Sequence, residues 1–368
     1  MKTKNSNKKR LLIVDDSVVF RSFFRGCVSR LSDIEVIGVA RDGRDALTKI
    51  KAKQPDIVTL DMDMPHFTGI EVLECLQEEA PDVCVLIVSS ESETDAKKTV
   101  QALEAGAFDF ILKPKSSERD PDSILLKMLK SCLPRARSIG TVTQKKQKRR
   151  SHPTTLDAAG IPSMKPRARK ASMVPDLVAI GSSTGGPAAL HTVLRMIPAT
   201  FHLPITITQH MPKLFLQSLA ERLDRDTPLR AKVAEDGMFL EGGCIYVAPG
   251  DVHMEIERMG SKLCAKLVDG PRVNHCIPAV DVTFHSLAKL APRIQCLVVV
   301  LTGMGADGAA GAKAMKDKKN AYVIAQDEAT SVVWGMPGET VKCGAADEVL
   351  PLGSIADAII SHSGGRKK

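Results

Sequence analysis

Residues 56–65 read DIVTLDMDMP. A β-branched, mostly apolar run from Ile57 to Leu60 stops abruptly at the carboxylate of Asp61. A strand buried on both faces has this appearance, and strands of that kind belong to parallel sheets covered by helices. The same pattern recurs outward in both directions. LLIVDD (11–16) and EVIGVA (35–40) precede it, and VCVLIVSS (83–90) and FDFILKP (108–114) follow. Between the runs lie helical patterns such as TGIEVLECLQEEA (68–80) and TDAKKTVQALEAGA (94–107). Five strands alternating with helices predict one doubly wound α/β domain over residues 10–133.

The chain has 368 residues, enough for a second domain of ordinary size. Periodicity disappears over 134–175, which is rich in Lys, Arg, Ser, Thr and Pro and reads as a flexible basic linker. Alternation resumes at 176. LVAIG (177–181) leads into a helix from Pro187, and ITITQH (205–210) into a helix from Pro212. A β-rich middle follows, with CIYVAPG, HMEIE and KLCAKLV; then come a helix near 279–291, the strand CLVVVLTG (296–303), a helix from about Ala306 and the strand AYVIAQD (321–327). This predicts a second α/β domain over 176–360, on a mainly parallel sheet with a hairpin excursion.

The net charge of +8 is unevenly placed. Residues 134–175 carry +10, the first ten residues +5 and the last three +3, and subtracting these eighteen from +8 leaves −10 for the rest. The basic charge therefore belongs to tails and linker, which argues against a folded nucleic-acid-binding surface. No apolar run is long enough to span a membrane, and LLIV after the basic N-terminus is too short for a secretory signal, so a cytosolic protein is expected. Nine cysteines without a C-x-x-C pair then read as reduced core thiols.

Chemistry gathers at the predicted strand ends. Asp15 and Asp16 follow the first strand, Asp61 ends the third, Ser89 the fourth, and Lys113 the fifth. The carboxyl ends of parallel strands share one edge, where ligands bind. Three carboxylates there suit Mg²⁺, with Asp15, Asp16 and Asp61 as ligands. Asp61 can also accept a phosphoryl group, its charge offset by the metal and Lys113, with Ser89 reaching the new phosphoryl oxygens. A single Asp at a strand end is ordinarily a turn or cap residue; the conjunction is what points to chemistry. This stretch resembles the receiver domain of two-component response regulators. The resemblance implies phosphorylation of Asp61 by a histidine kinase, and it places Phe110 at the aromatic switch position.

In the second domain, Gly181-x-Ser183-x-Gly185 fits a nucleophile elbow between strand and helix and selects Ser183 rather than Ser182. A phosphate-cradling reading of these glycines requires G-x-G-x-x-G and an acid ending the next strand, and neither is found. His210 ends the next strand as a candidate base, and Asp307, just past CLVVVLTG, can orient it. Taken alone, Asp307 reads as a helix cap. IGSSTGGP (180–187), ITQHMP, IYVAPGDVHME, LTGMGADGAAG and IAQDEATSVVWGMP resemble the chemotaxis protein-glutamate methylesterases. That resemblance implies hydrolysis of glutamyl methyl esters on methyl-accepting chemotaxis receptors, often with glutamine deamidation, and no cofactor for the esterase. It places Ser183, His210 and Asp307 on the catalytic positions, with Thr184 and Met304 beside the oxyanion site. One run departs: where the family commonly has Asn-Arg-His-Arg-Pro, this chain has Asn274-His275-Cys276-Ile277-Pro278. The departure bears on substrate preference or receptor docking. It also leaves room for an esterase of some other modified protein; the other alternative, a non-enzymatic binding module on the same fold, is opposed by the intact Ser183, His210 and Asp307. A transcription regulator would need a helical, base-reading output domain, which the α/β pattern excludes.

Overall fold

The computed structural model describes residues 8–80, 82–114, 120–123, 125–126, 129–130 and 174–364. The basic stretch 134–173 and both tails lie outside the described residues. The chain divides into two compact units, 1–159 and 160–368.

The first unit is a five-stranded sheet in the order β2-β1-β3-β4-β5, every pairing parallel. The strands are β1 (Lys9–Val14), β2 (Ile34–Ala40), β3 (Ile57–Asp61), β4 (Cys84–Ser89) and β5 (Asp109–Leu112), with helices α1 (Val18–Val28), α2 (Gly43–Lys53), α3 (Gly69–Glu79) and α4 (Glu93–Glu104) between them. β3 and β4 are buried along their whole length, as their unbroken apolar runs require. Each helix starts on a capping side chain: Ser17, Asp42, Thr68 and Ser92. At α3, Thr68 and Glu71 form a reciprocal capping box, so the strand-end loop after Asp61 is terminated by two satisfied backbone donors. The chain reverses its direction of travel across the sheet between β1 and β3, which opens a crevice at Asp15, Asp16 and Asp61.

The second unit is a seven-stranded sheet, β14-β13-β12-β6-β7-β9-β8, again parallel throughout, beside a two-stranded antiparallel hairpin β10-β11. The elements are β6 (Leu177–Ser182), α5 (Gly186–Leu194), β7 (Ile205–Gln209), α6 (Lys213–Asp226), β8 (Arg230–Val233), β9 (Cys244–Val247), β10 (His253–Met259), β11 (Lys262–Val268), α7 (Val280–Lys289), β12 (Cys296–Val300), α8 (Ala309–Asp317), β13 (Ala321–Gln326), α9 (Met336–Lys342), β14 (Glu348–Leu350) and α10 (Leu352–His362). The expected parallel sheet and hairpin excursion are both present. One continuous core joins Val298 and Val300 of β12 to Phe284 and Leu287 of α7 and to Met254 and Ile256 of the hairpin. β12, β6 and β7 are consecutive neighbours near the middle of the sheet, so Ser183, His210 and Asp307 follow the carboxyl ends of three adjacent strands. Among the described residues, no helix is long and apolar enough to cross a membrane.

Candidate active site and phosphoacceptor site

In the first unit, Asp61 is 6% exposed at the end of β3, and Asp15 is 1% exposed after β1. Lys113 Nζ lies 2.8 Å from Asp61 Oδ2 and 2.9 Å from Asp15 Oδ2, bridging the two carboxylates. Asp15, Asp16 and Asp61 each offer an oxygen within 4.8 Å of the others, a hard-oxygen set that suits a divalent cation. Burial pushes the Asp61 carboxyl up to about 6, with Lys113 opposing and Asp15 adding to the rise. A cation at the acidic set relieves that strain on the charged form. Ser89 is buried at the end of β4; its hydroxyl accepts from Thr99 Oγ1 at 2.8 Å and donates to the Ser90 carbonyl at 3.3 Å. Phe110 is half-buried in β5. Two residues went unnoticed in the sequence. Arg21 donates to the carbonyls of Asp15 and Asp16 at 2.6 and 2.9 Å, fixing the acidic loop, and the Phe20 ring lies 4.9 Å beneath Lys113 Nζ. Both sit in the first turns of α1, where Val18-Val19-Phe20-Arg21 reads simply as an amphipathic helix.

In the second unit, the turn between β6 and α5 depends on Gly185, whose φ of 76° is left-handed and whose added Cβ would come within 2.6 Å of Val332. The Ser183 N–H donates to the Thr302 carbonyl at 3.0 Å, and Gln209 Nε2 donates to the Ser183 carbonyl at 2.9 Å. Gln209 in turn accepts from Ser182 Oγ at 2.7 Å. Thr184 is buried, and its carbonyl accepts from Thr302 Oγ1 at 3.0 Å. The elbow is thus held to the strands on both sides. Ser182 pairs in register with Gln209, so Ser183 and His210 directly follow paired positions on strands about 4.8 Å apart.

Asp307 is the most heavily bonded group of the site. Its Oδ2 accepts from Val280 N at 2.7 Å and faces His210 Nε2 at 2.7 Å. Its Oδ1 accepts from Asp281 N at 3.0 Å and Asn274 Nδ2 at 2.8 Å. Asp307 therefore is a helix cap, but of α7 rather than of its own helix α8, whose start carries no side-chain cap. The free N–H groups and dipole of α7 favour the carboxylate. Burial pushes the Asp307 carboxyl up, but these hydrogen bonds outweigh it, led by that with His210, and hold it below the ordinary range. Neighbouring Asp281 goes the other way: burial raises its carboxyl, and the charge on Asp307 adds to the rise. For His210, burial disfavours the imidazolium, but Asp307 and then Cys276 more than reverse this and push the ring up to about 9.

The second nitrogen of His210 is also engaged. Nδ1 faces Cys276 Sγ at 3.4 Å, not Ser183. The divergent run 274–278 thus reaches the site itself: Asn274 bonds Asp307, and Cys276 adjoins the imidazole. This corrects the reading of the cysteines as core thiols. Cys27, Cys84, Cys264 and Cys296 are buried, while Cys276 is half-buried in the site and Cys343 is exposed. Met304, 44% exposed, projects from the loop between β12 and α8. The neighbouring Gly303 has room for no side chain: a Cβ would stand 2.2 Å from Met336 Sδ and 2.9 Å from Ser183 Cβ.

Comparison with known proteins agrees with both halves. Residues 11–124 match the response regulator receiver domain family, and residues 178–359 match the CheB methylesterase family. A protein-glutamate methylesterase/protein-glutamine glutaminase of Geobacillus kaustophilus is 40% identical over 361 residues, covering 96% of this chain and 99% of its own. The Escherichia coli protein of the same name is 39% identical over 355 residues, covering 96% and 97%. The crystal structure of the Thermotoga maritima CheB methylesterase catalytic domain is 40% identical, with a TM-score of 0.49, and covers 51% of this chain and 99% of that one. With its receiver domain, its methylesterase domain and near-complete alignment to such relatives, the chain belongs to the protein-glutamate methylesterase/protein-glutamine glutaminase family.

Proposed function

We propose that Ser183, His210 and Asp307 hydrolyse glutamyl methyl esters on methyl-accepting chemotaxis receptors, and that phosphorylation of Asp61 by a histidine kinase activates them in the cytoplasm. The observation that carries this reading is the ionised Asp307, held by three donors besides His210 and bonded to the imidazole at 2.7 Å. Asp307 fixes the orientation of the ring and stabilises its charged form, as the third member of an acyl-transfer triad does. Nδ1 is then the nitrogen that takes the Ser183 proton, so the Cys276 thiol gives way there when substrate binds. Ser183 attacks the ester carbonyl, and the protonated ring returns the proton to the departing methanol. Water then hydrolyses the acyl-enzyme with the same base, leaving the receptor glutamate. Backbone donors at the start of α5, near Thr184, and the Met304 loop stabilise the oxyanion. A glutamine side chain presents the same carbonyl, and its amide nitrogen leaves as ammonia once protonated by the ring, which covers the deamidation named in the relatives.

In the receiver, Asp15, Asp16 and Asp61 hold Mg²⁺, which when bound neutralises the charge gathering on the transferred phosphoryl group. Asp61 is the acceptor, and Lys113 bonds a phosphoryl oxygen. Ser89 turns from Ser90 to bond another, and Phe110 follows the loop. The domain limits 10–133, 134–175 and 176–360 complete this reading. The test is methanol release from methylated receptor membranes: Ser183→Ala reduces it at least 10³-fold on the scale of lost nucleophiles, and unchanged release refutes the assignment.

A further inference from the structure

The turn that carries Cys276 makes a second kind of site out of the same imidazole. Val273 and Cys276 exchange both backbone hydrogen bonds, at 2.8 and 3.1 Å. Between them Asn274 and His275 have φ of 51° and 66°, the two left-handed positions of a type I′ turn. The turn is anchored by Asn274 Nδ2, which bonds Asp281 Oδ2 and Asp307 Oδ1, each at 2.8 Å. The sulfur is therefore placed by a clamped backbone, 3.4 Å from His210 Nδ1 and 3.5 Å from the Asn274 carbonyl.

On the far side of the ring, Nε2 is committed to Asp307. In the neutral ring that bond keeps the proton on Nε2 and leaves the Nδ1 lone pair toward the sulfur. A carboxylate behind an imidazole, with the other nitrogen free, is how proteins orient a metal-binding histidine. With zinc–nitrogen near 2.05 Å and zinc–sulfur near 2.3 Å, a nitrogen–sulfur separation of 3.4 Å sets the angle at the metal to roughly 103°, close to tetrahedral. Thiolate and imidazole favour Zn²⁺ or Co²⁺ over Mg²⁺, the reverse of the all-carboxylate set in the receiver.

The geometry points to a soft divalent-cation site formed by Cys276 Sγ and His210 Nδ1, with Asp307 as positioning residue, at which Zn²⁺ silences the esterase. The metal replaces the thiol proton and, where the ring is charged, the proton on Nδ1; both leave to solvent, and two coordination positions stay with water. Coordination rests on the geometry alone. Silencing rests on the proposed hydrolysis, because the metal occupies the nitrogen through which Ser183 is deprotonated.

The test uses the reduced full-length chain in excess Mg²⁺, which fills the carboxylate site. Titrated Co²⁺ is expected to produce a thiolate-to-cobalt charge-transfer band in the near ultraviolet, and Zn²⁺ to bleach it. Cys276→Ser and Cys276→Ala are expected to lose it while the other cysteines remain. A wild-type spectrum without the band, or equal bands in the variants, overturns the site. For methanol release, each protein measured against its own zinc-free rate, half-inhibition is expected to need at least tenfold more Zn²⁺ in the two variants. Equal sensitivity overturns the silencing. A wild-type protein that releases no methanol even without zinc refutes the hydrolysis instead, and the cobalt spectrum still decides the site.

Discussion

His210 sets the most specific expectation at the scale of single residues. Asp307 and Cys276 favour its imidazolium up to about pH 9, whereas the reaction needs the neutral ring as base. In metal-free buffer, kcat/KM for methyl-ester hydrolysis therefore rises about tenfold per pH unit through the neutral range and levels near that value. A plateau beginning near pH 6.5 would show an unperturbed ring. Asp61 gives a stability expectation of opposite kind. Its carboxyl goes from 3.8 to about 6 on folding, so below pH 4 both states are protonated and nothing is lost. As pH rises from there through 6, the unfolded chain ionises first and the receiver loses stability, by up to about 3 kcal/mol once both states are ionised. Without Mg²⁺, Asp61→Asn is expected to raise the melting temperature of the receiver at pH 8 and to have little effect at pH 4; a lower melting temperature at pH 8 contradicts the burial argument. Asp15 and Asp61 were legible because each ends a continuous apolar run, Ser183 because it is the centre of Gly181-x-Ser183-x-Gly185, and His210 because it closes the next β-branched run. Asn274 and Cys276 were not, since they reach Asp307 and His210 from a turn far along the chain, and no periodicity marks a residue brought there by tertiary structure. The signal that existed was the departure of the run 274–278 itself.

Elements explain why the site is tight. α7 carries no side-chain cap of its own and takes Asp307 as its anion, so the start of that helix and the triad are one structure. The loop after β12 is packed as closely: Gly303 bonds Val333 through its N–H, and its carbonyl accepts from Gly335 and Met336. In Gly303→Ala the new methyl meets Met336 Sδ, which can yield, and Ser183 Cβ, which cannot without moving the nucleophile. The expected cost is about 1–3 kcal/mol of stability. A loss of kcat beyond tenfold should accompany it, as displacement of a reacting group produces. Wild-type kcat in that variant would mean that Ser183 is not the reacting group. Most elements could be read from apolar runs, but β8 and β14 could not. They are the two edge strands of the seven-stranded sheet, four and three residues long and only partly buried, so neither presents the unbroken apolar run that marks the interior strands. The capping box at Thr68 and Glu71 was within reach of sequence reasoning, since it is a local pattern.

At the scale of the whole molecule, two parallel sheets place chemistry by one rule. Each gathers its reactive side chains at the carboxyl ends of adjacent strands, beside the point where strand order reverses. The first gathers carboxylates and an ammonium, suited to phosphoryl transfer; the second gathers hydroxyl, imidazole and carboxylate, suited to acyl transfer. Under the proposed function, one chain joins both chemistries, and the first governs the second. Methanol release from methylated receptor membranes, with Mg²⁺ and with or without a small-molecule phosphodonor, measures this most directly. The phosphodonor is expected to stimulate the wild-type chain severalfold and to leave Asp61→Asn at its unstimulated rate; equal stimulation of both proteins would refute control through Asp61.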